Sequence, residues 1–378
     1  MTGNERLRAA GVLLCWVLTG ACERPGQTVP ADAALPPAAG ARAQWPQQVY
    51  WGDLHLHSRY SFDSYSFGNT TLAPDDAYRF AKGETVIASS GQPARLGRAL
   101  DFLAVTDHAE FLGVLAAIED GDAAIAATDL GRRWRGWLDD GDIIAVLNEY
   151  IDYVNLRREP PNDVSRAFLN GIWRDIAAAA DRHNEPGRFT AFIGYEWTSM
   201  IDGDNLHRVV LFRDDAKTVG DIVPFSALDS RDPEDLWAAL AAYEAGSGGR
   251  ALAIPHNGNL SDGSMFATQT LGGRRLDRRY AEIRRHWEPV VEVTQVKGDG
   301  ETHPLLSPAD AFADFENWDE YDVNYNAKPE DEKAAMYAGE YARAALKRGL
   351  AFGRELGVNP YGFGLIGSTD AHTALATA

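Results

Sequence analysis

The residues of this chain best suited to chemistry are two histidines in the segment Asp53-Leu54-His55-Leu56-His57-Ser58. Side chains alternate along a β-strand, so His55 and His57 would leave one face while Leu54 and Leu56 pack on the other. Two imidazoles held on one rigid strand can bind a single divalent metal ion. An H-x-H pair also occurs by chance on surface strands, so the rest of the chain has to decide between these interpretations.

Ionisable side chains also follow several short apolar runs further along the chain. The runs lie at residues 102–105, 192–195, 251–254 and 363–366, and the residues after them are Asp107 and His108, Glu196, His256, and Asp370 with His372. Such runs predict buried parallel strands. In a barrel of alternating strands and helices, the carboxyl ends of the strands carry the chemistry. Because a hydrophobic core does not gather His, Asp and Glu without partners, we predict that a metal ion joins them.

Most candidate metal ligands lie beside these predicted strand ends, while Asp63 lies a few residues past His57 and His207 precedes the apolar run 209–212. Asp63 either completes the site or caps a turn, and Glu292, within an apolar strand, either supports a ligand or forms an ion pair. The alternative is a set of separate polar residues with local hydrogen bonds. The candidate ligands are His55, His57, Asp63, His108, Glu196, His207, His256, Asp370 and His372.

Strands and helices alternate in the sequence pattern. Strands are predicted at about 102–105, 191–195, 251–254, 290–296 and 363–367. One helix is predicted from an apolar residue every four positions between 164 and 180, a second from Asp232-Pro233 to about 245, and a third from about 329 to 347, closing near Gly349. No internal repeat is evident. The pattern predicts a single barrel-like α/β domain that begins near residue 49.

Composition limits the kinds of partner that the domain can bind. The 378 residues carry a formal net charge of −19, which argues against broad binding to nucleic acid or to an anionic lipid surface. Both cysteines, Cys15 and Cys22, precede the predicted domain, so a cysteine nucleophile and a cysteine-ligated zinc are excluded there. The sequence also lacks a G-x-S-x-G elbow and a phosphate-binding G-x-x-x-x-G-K-[ST] loop. We expect a small-molecule substrate.

The N-terminal segment has the pattern of an export signal. Arg6 and Arg8 precede an apolar run over residues 9–18, and small residues follow it up to Cys22. We predict a signal peptide over residues 1–22 and a linker rich in Pro, Ala and Gly over residues 23–48. Two outcomes of export stay open, release into the periplasm and an outer-membrane lipoprotein. In the second, a lipid on Cys22 is the only contact with the membrane.

The order of the motifs resembles that of the PHP (polymerase and histidinol phosphatase) superfamily of phosphoesterases. That order is H-x-H, T-D-H, a strand-end Glu, isolated His residues and D-x-H. The segments 51–58, 195–198 and 368–373 also look like a secreted PHP-like family known mainly as a domain of unknown function. The resemblance spans about residues 49–378. It implies a distorted (β/α)7 TIM-like barrel with two or three metal ions at the carboxyl ends of its strands.

The resemblance also implies how the candidate ligands are shared between metal sites. For the first metal the implied ligands are His55, His57, Glu196 and Asp370. Glu196 would bridge to a second metal held by His207 and His256. A third site would take His108, His372 and Asp63, which stands where many relatives have a histidine. Chains of the secreted family usually continue beyond D-x-H, whereas this one stops at Ala378, so the resemblance implies a C-terminally truncated barrel whose last strand lacks its cover.

These features together predict metal-assisted hydrolysis, with a phosphoester as the expected substrate. Bound metals lower the pKa of a bridging water, so that hydroxide exists near neutral pH. Asp107 is expected to orient a ligand or to shuttle a proton, and Arg208 to hold the leaving-group side of the substrate. Histidine and carboxylate ligands suit two or three ions of Zn, Mn or Fe.

Two other functions are compatible with the same residues. An amidohydrolase-type enzyme would cleave a C–N or carboxylic ester bond on a similar barrel, but such sites often use a carboxylated lysine where this chain has Glu196. A non-catalytic periplasmic metal-binding protein would bind the metal and turn over no ester. Likeness of fold alone does not choose a substrate.

Overall fold

A curled sheet of five strands forms the centre of the protein. The computed structural model describes residues 48–322 and 333–376. The strands are β1 (Gly52–Asp53), β2 (Val86–Ile87), β3 (Pro93–Ala94), β4 (Phe102–Val105), β5 (Thr190–Trp197), β6 (Met200–Ile201), β7 (Asp204–Asn205), β8 (Arg208–Phe212), β9 (Ala251–Pro255), β10 (Val290–Glu292), β11 (Thr294–Gln295), β12 (Gly298–Asp299) and β13 (Gly364–Ile366). The central sheet has the order β1-β4-β5-β8-β9, and the strands β10 and β13 form a separate parallel pair.

Helices pack against the sheet. They are α1 (Phe62–Ser66), α2 (Pro74–Ala81), α3 (Val114–Asp120), α4 (Ala123–Ala126), α5 (Asp129–Asp139), α6 (Ile143–Val154), α7 (Arg166–His183), α8 (Ala216–Val219), α9 (Pro233–Ser247), α10 (Arg278–Trp287), α11 (Lys333–Tyr337) and α12 (Ala342–Leu356). A short 3₁₀ turn, Gly258–Leu260, follows β9. The described residues from Tyr50 onward form one compact unit.

The strand directions show that the prediction of a (β/α)7 TIM-like barrel is wrong. Strands β1, β4 and β5 are parallel, but β8 is antiparallel to both β5 and β9. The connection between β5 and β8 is residues 198–207, which hold only the small hairpin of β6 and β7. This connection is too short for the helical crossover that a parallel neighbour needs, so the chain returns antiparallel. In the described residues no ladder joins β9 to β10, and the sheet stays a half-barrel.

Side-chain alternation gives the curled sheet two different faces. On the inner face, Ala104, Val209, Leu211 and Ile254 form a small buried apolar core. On the outer face, the alternate residues of the same strands pack against the helices in a much larger core; examples are Val105, Val210 and Ala253. Because the period is two, each strand sends alternate residues to these two environments. A polar residue that follows a strand end lies either on the side of the inner face or on the side of the outer face.

The predicted strands and two of the three predicted helices are confirmed, with changes at their ends. The strand predicted at 290–296 is divided between β10 and β11. Ser165 and Asp232 cap the amino ends of α7 and α9 through their side chains, and Gly248 ends α9 in the left-handed region. Of these signals, the Asp232 cap was the one from which α9 was expected, whereas α7 was expected from its apolar periodicity.

The third predicted helix, from about 329 to 347, is not continuous. Residues 329–332 lie outside the described part, α11 ends at Tyr337, and α12 begins at Ala342 and runs past Gly349 to Leu356. Gly339 lies between the two helices against the backbone of Gly263, where a Cβ would clash with the carbonyl oxygen. This close packing of two backbones interrupts the helix, and the left-handed Gly357 ends it instead.

The predictions for the N-terminal segment concern residues that the structure does not describe. The signal peptide, the linker up to residue 47 and Cys22 all lie outside the described residues. In the part that is described, no helix combines the length and the apolar composition needed to cross a bilayer.

Trp173 is the residue of α7 through which the outer core can be tested. Its side chain is fully buried, its ring contacts Tyr195 and Phe212, and its Nε1 donates to the carbonyl oxygen of Val219 at 2.8 Å. We expect Trp173→Ala to lower the free energy of unfolding by about 3–5 kcal/mol, because it leaves a cavity and an unpaired carbonyl. Denaturant unfolding would measure this. The matched change Trp51→Ala, at a ring that is 59% exposed, should cost under about 1 kcal/mol; equal losses would contradict this account of the core.

Candidate metal centre

The structure brings all the candidate ligands together at one end of the inner face, where the strands β4, β5 and β9 have their carboxyl ends. Most of them follow the ends of strands, and His207 directly precedes β8. His55 and His57 lie beyond the end of β1, and the expectation that Leu54 and Leu56 share one face is wrong, because Leu54 packs against the inner core and Leu56 lies in the outer one. Three groups of side chains have ligand atoms close enough for one cation each, and the groups share members. The groups are His55, His57, Glu196 and Asp370; His108, Glu196 and His207; and His57, Asp63 and His372.

The first group surrounds a space of the size of a metal ion. The His57 Nε2 atom lies 2.9 Å from Asp370 Oδ1 and 3.2 Å from both His55 Nε2 and Glu196 Oε2. The His55 Nε2 atom lies 3.0 Å from Glu196 Oε2 and 3.4 Å from Asp370 Oδ1. A cation about 2.1 Å from four tetrahedral ligands separates them by about 3.4 Å. The four side chains are completely buried or nearly so.

Hydrogen bonds on the far side of each imidazole determine which nitrogen faces this space. The Nδ1 atom of His55 lies 3.1 Å from Glu292 Oε2, a pure acceptor, so Nδ1 carries the proton. The Nδ1 atom of His57 lies 3.1 Å from Ser61 Oγ, whose own proton goes to Asp63 Oδ1 at 2.7 Å. Both Nε2 atoms therefore present lone pairs beside two carboxylate oxygens. Four acceptors this close require a cation between them, either a metal ion or an added proton.

The pKa of His55 shows the same demand for positive charge. Burial lowers this pKa, but the carboxylates of Glu292 and Glu196 outweigh burial and raise it to about 10. A proton thus takes the position of the cation when no metal is bound. The opposite balance holds at the rim, where burial lowers the pKa of His207 and of His372 to about 4. Those two imidazoles are neutral at neutral pH, which is the form that binds a metal.

Glu196 connects the first group to the second. Its Oε2 faces His55 and His57, while its Oε1 lies 2.7 Å from His207 Nδ1 and 2.9 Å from His256 Nε2. Burial alone would raise the pKa of Glu196, but the surrounding histidines hold it well below its usual range. The carboxylate is therefore ionised, and its two oxygens can each face a different cation.

The third group lies nearer to solvent. Asp63 Oδ2 is 2.7 Å from His372 Nε2 and 2.9 Å from His108 Nε2, and the rings of His108 and His372 both stack on His57. Asp63 thus belongs to the cluster and does not merely cap a turn. The Nδ1 atom of His108 is 2.5 Å from Thr198 Oγ1, which leaves Nε2 to face Asp63.

Backbone strain is found at two positions of this cluster. Asp370 has φ 50°, and Asn257, directly after His256, has φ 49°. Both lie in the left-handed region, which is unfavourable for residues other than glycine. At Asp370 this conformation directs Oδ1 to His57, while Oδ2 accepts from Gln295 Nε2 at 2.6 Å. Strain of this kind persists where the surrounding contacts hold it, and it is concentrated at functional sites.

Asp107 and Arg208 do not reach the cluster, and the roles predicted for them are corrected. Both follow the outer face of their strands, opposite to His108 and His207. The oxygens of Asp107 accept from the backbone nitrogen and from the Oγ of Ser58, at 2.6 and 2.7 Å, and so fix the turn after His57. The guanidinium of Arg208 forms a buried ion pair with Glu288, with 3.1 Å between Nε and Oε1. Neither side chain is placed to contact a substrate at this site.

The sequence matches the model of a protein family of unknown function, DUF3604, over residues 44–378. The chain belongs to this family. A comparison with curated proteins found no match. Because the family description gives no activity, the function has to be argued from the chemistry of the site.

Several residues of this DUF3604 site could not be found from the sequence. Gln295 donates a hydrogen bond to Asp370, and Thr198 contacts His108. Ser61 Oγ accepts a hydrogen bond from His57 Nδ1. Gln295 and Ser61 belong to no motif that the sequence shows, and Thr198, although it ends the segment 195–198, carries no signal of its contact with His108. Glu292 was expected either to support a ligand or to form an ion pair, and its carboxylate does support His55.

Loss of single ligands from the DUF3604 site should lower the amount of bound metal. We expect His57→Ala and Glu196→Ala to bind less Zn or Mn per chain than the wild type after reconstitution, as measured by elemental analysis. The exposed His286, away from the cluster, supplies the control His286→Ala, which should bind as much as the wild type. Equal metal content in all four folded proteins would contradict the assignment.

Metal binding should also release protons. With a pKa of about 10, His55 is protonated at pH 7 in the metal-free chain, and the metal must displace this proton. The apparent metal affinity should therefore rise by up to about tenfold per pH unit below that pKa, and fall as the pH is lowered. Calorimetric titration with Mn in two buffers of different ionisation enthalpy would count the protons. Heats independent of the buffer would show that no proton leaves.

Proposed function

We propose that this chain is a metal-dependent hydrolase, and specifically a phosphoesterase that works with two or three divalent cations, Zn, Mn or Fe. The observation that carries the proposal is the position of Glu196, a buried carboxylate with different imidazoles on its two oxygens. Such a carboxylate can hold two cations side by side. When bound, adjacent cations activate water near neutral pH and neutralise charge on the substrate oxygens.

The cluster is partly exposed at its rim, which supports a role in catalysis. The innermost ligands are buried, whereas side chains of Asp63, His207, His372 and Lys297 keep between 12 and 30% of their surface exposed. A purely structural metal site is closed by its protein ligands, while a catalytic site keeps a position for substrate. The exposed rim supplies that position, and a substrate would approach along it.

The chemistry of the ligands favours a phosphoester over a carbon ester. Neighbouring cations produce a local field that attracts phosphate oxygens, even in a chain with a net charge of −19. The bridging ligand is a glutamate, whereas many amidohydrolase-type sites use a carboxylated lysine there. The motif likeness to PHP phosphoesterases belongs to this proposal and supports the same choice. It concerns the order of the ligands and not the closed barrel, which this structure lacks.

At the rim, the carboxylate of Asp63 orients two imidazoles. Asp63 Oδ2 accepts hydrogen bonds from the Nε2 atoms of His372 and His108, which lie 2.7 and 2.9 Å away. Burial alone would raise the pKa of Asp63, but His108, His372 and His57 hold this pKa well below its usual range. An ionised carboxylate that accepts from two imidazoles keeps both rings oriented and holds their Nε2 protons in place.

A substrate screen tests the proposal. We expect the protein reconstituted with Mn or Zn to hydrolyse aryl phosphate monoesters or diesters faster than aryl esters or lactones. Removing the metal, or changing Glu196→Gln, should lower kcat/KM at least about 100-fold, because the charge on the substrate oxygens is then unopposed. His286→Ala serves again as the control with unchanged activity.

Two outcomes of this screen would overturn the proposal. Selective turnover of carbon esters would indicate the amidohydrolase-type reaction. Full metal loading without turnover of any ester would indicate a non-catalytic metal-binding protein.

A further inference from the structure

Lys297 is a cation at the rim of the metal centre that the proposed reaction has not yet used. It lies in the turn between β11 and β12, two residues after Gln295, so both side chains point to the cluster. Its ammonium forms an ion pair with Asp370 Oδ2. The side chain keeps 30% of its surface exposed, against 2% for Asp370. The ammonium therefore lies between a buried ligand and the open side of the site.

Asp370 does not depend on Lys297 alone. Its Oδ2 also accepts from Gln295 Nε2 at 2.6 Å, and the backbone nitrogen of Lys297 fixes Gln295 by donating to its Oε1 at 2.7 Å. An ammonium has three donors. Among the described residues, Asp370 is the only acceptor with which the Nζ atom forms an ion pair. The remaining donors are left for solvent or for a ligand at the rim.

The charges around Lys297 indicate what kind of ligand it would bind. Four carboxylates lie in or directly behind the cluster, namely Asp63, Glu196, Glu292 and Asp370. Two divalent cations would only balance these four charges, with the histidines neutral. The ammonium of Lys297 then gives the centre a net positive charge on its open side. Two other basic residues close to the motifs in sequence do not supply it, since Arg59 pairs with Asp120 and Arg208 pairs with Glu288 on the outer face.

We propose that Lys297 binds an anionic non-bridging oxygen of the substrate and thereby selects dianionic phosphate monoesters over diesters. This inference rests on the proposed function for the reaction itself, but binding of an anion at Lys297 can be measured without turnover. A monoester has one more anionic oxygen than a diester. With two oxygens near the cations, the third is free to accept from the ammonium.

Inorganic phosphate is the probe for the binding step. The Mn-reconstituted full chain would be titrated with phosphate by calorimetry, with Mn per chain measured on the same samples. We expect Lys297→Met to weaken phosphate binding about 10–100-fold at unchanged Mn content, since one charge-assisted hydrogen bond is lost. Lys297→Arg keeps the charge and should stay within a few-fold of the wild type. Lys217→Met, at an exposed lysine on α8, is the matched control and should bind phosphate normally.

Two results would overturn the inference. Phosphate binding by Lys297→Met equal to that of the wild type would show that the ammonium does not contact the anion. Loss of Mn in Lys297→Met, with Mn retained in Lys297→Arg, would show that the residue only holds Asp370 in place.

Substrate selectivity separates this inference from the proposed function. In an active enzyme, the ratio of kcat/KM for an aryl phosphate monoester to that for the diester should fall about tenfold in Lys297→Met, and an unchanged ratio would reject the inference alone. If the wild type hydrolyses no ester but phosphate binding still depends on Lys297, the proposed reaction fails while the anion site stands.

Discussion

The buried carboxylate of Glu196 imposes the main constraint on this molecule, because its charge must be balanced where water cannot reach it. Burying a charge is costly unless it is paired and hydrogen-bonded. Here the balance comes from imidazoles on neighbouring strands, and Glu292 and Asp370 add further negative charge that only a cation or a proton can offset. The curled sheet holds these groups at fixed distances, and the helices exclude water from its outer face. The positions of these side chains therefore depend on the fold, and their charge balance depends on whether a metal ion or a proton lies between them.

Alternation along the strands explains both the success and the errors of the sequence analysis at the site. A ligand pattern such as H-x-H needs only a period of two, so His55 and His57 could be assigned to one face without a structure. The same rule separates the neighbours in T-D-H and in His207-Arg208, because the histidine faces the cluster and the residue beside it faces the outer core. Asp107 and Arg208 have the parity of the outer core, and each is already satisfied there by Ser58 and Glu288. Residues adjacent in sequence to a ligand are, on a strand, the ones that face away from it.

Other features depend on contacts between distant segments and could not be obtained from local patterns. The direction of β8 follows from the length of its connection to β5, but its pairing with β9 requires knowledge of the whole sheet. The helices α3 to α6, with a second apolar core around Trp134, were not predicted. The interruption before α12 comes from Gly339 against Gly263, a contact between segments far apart in sequence. Local signals located the strands β4, β5, β9, β10, β11 and β13 and the helices α7 and α9, and the remainder depended on tertiary packing.

The ligands come from both ends of the described domain, and this has a consequence for how the protein reaches its final state. His57 and Asp370 are 313 positions apart, and backbone hydrogen bonds from Asp370 to His55 and from His57 to Ala371 join the same two segments. A cation held by both would act as a reversible cross-link that closes almost the whole domain into one loop. Restricting the unfolded chain to such a loop removes conformational entropy worth on the order of 5 kcal/mol. During synthesis the groups that contain Asp370 or His372 cannot form before the last motif is made, so the filling of these groups by metal would follow translation of the domain.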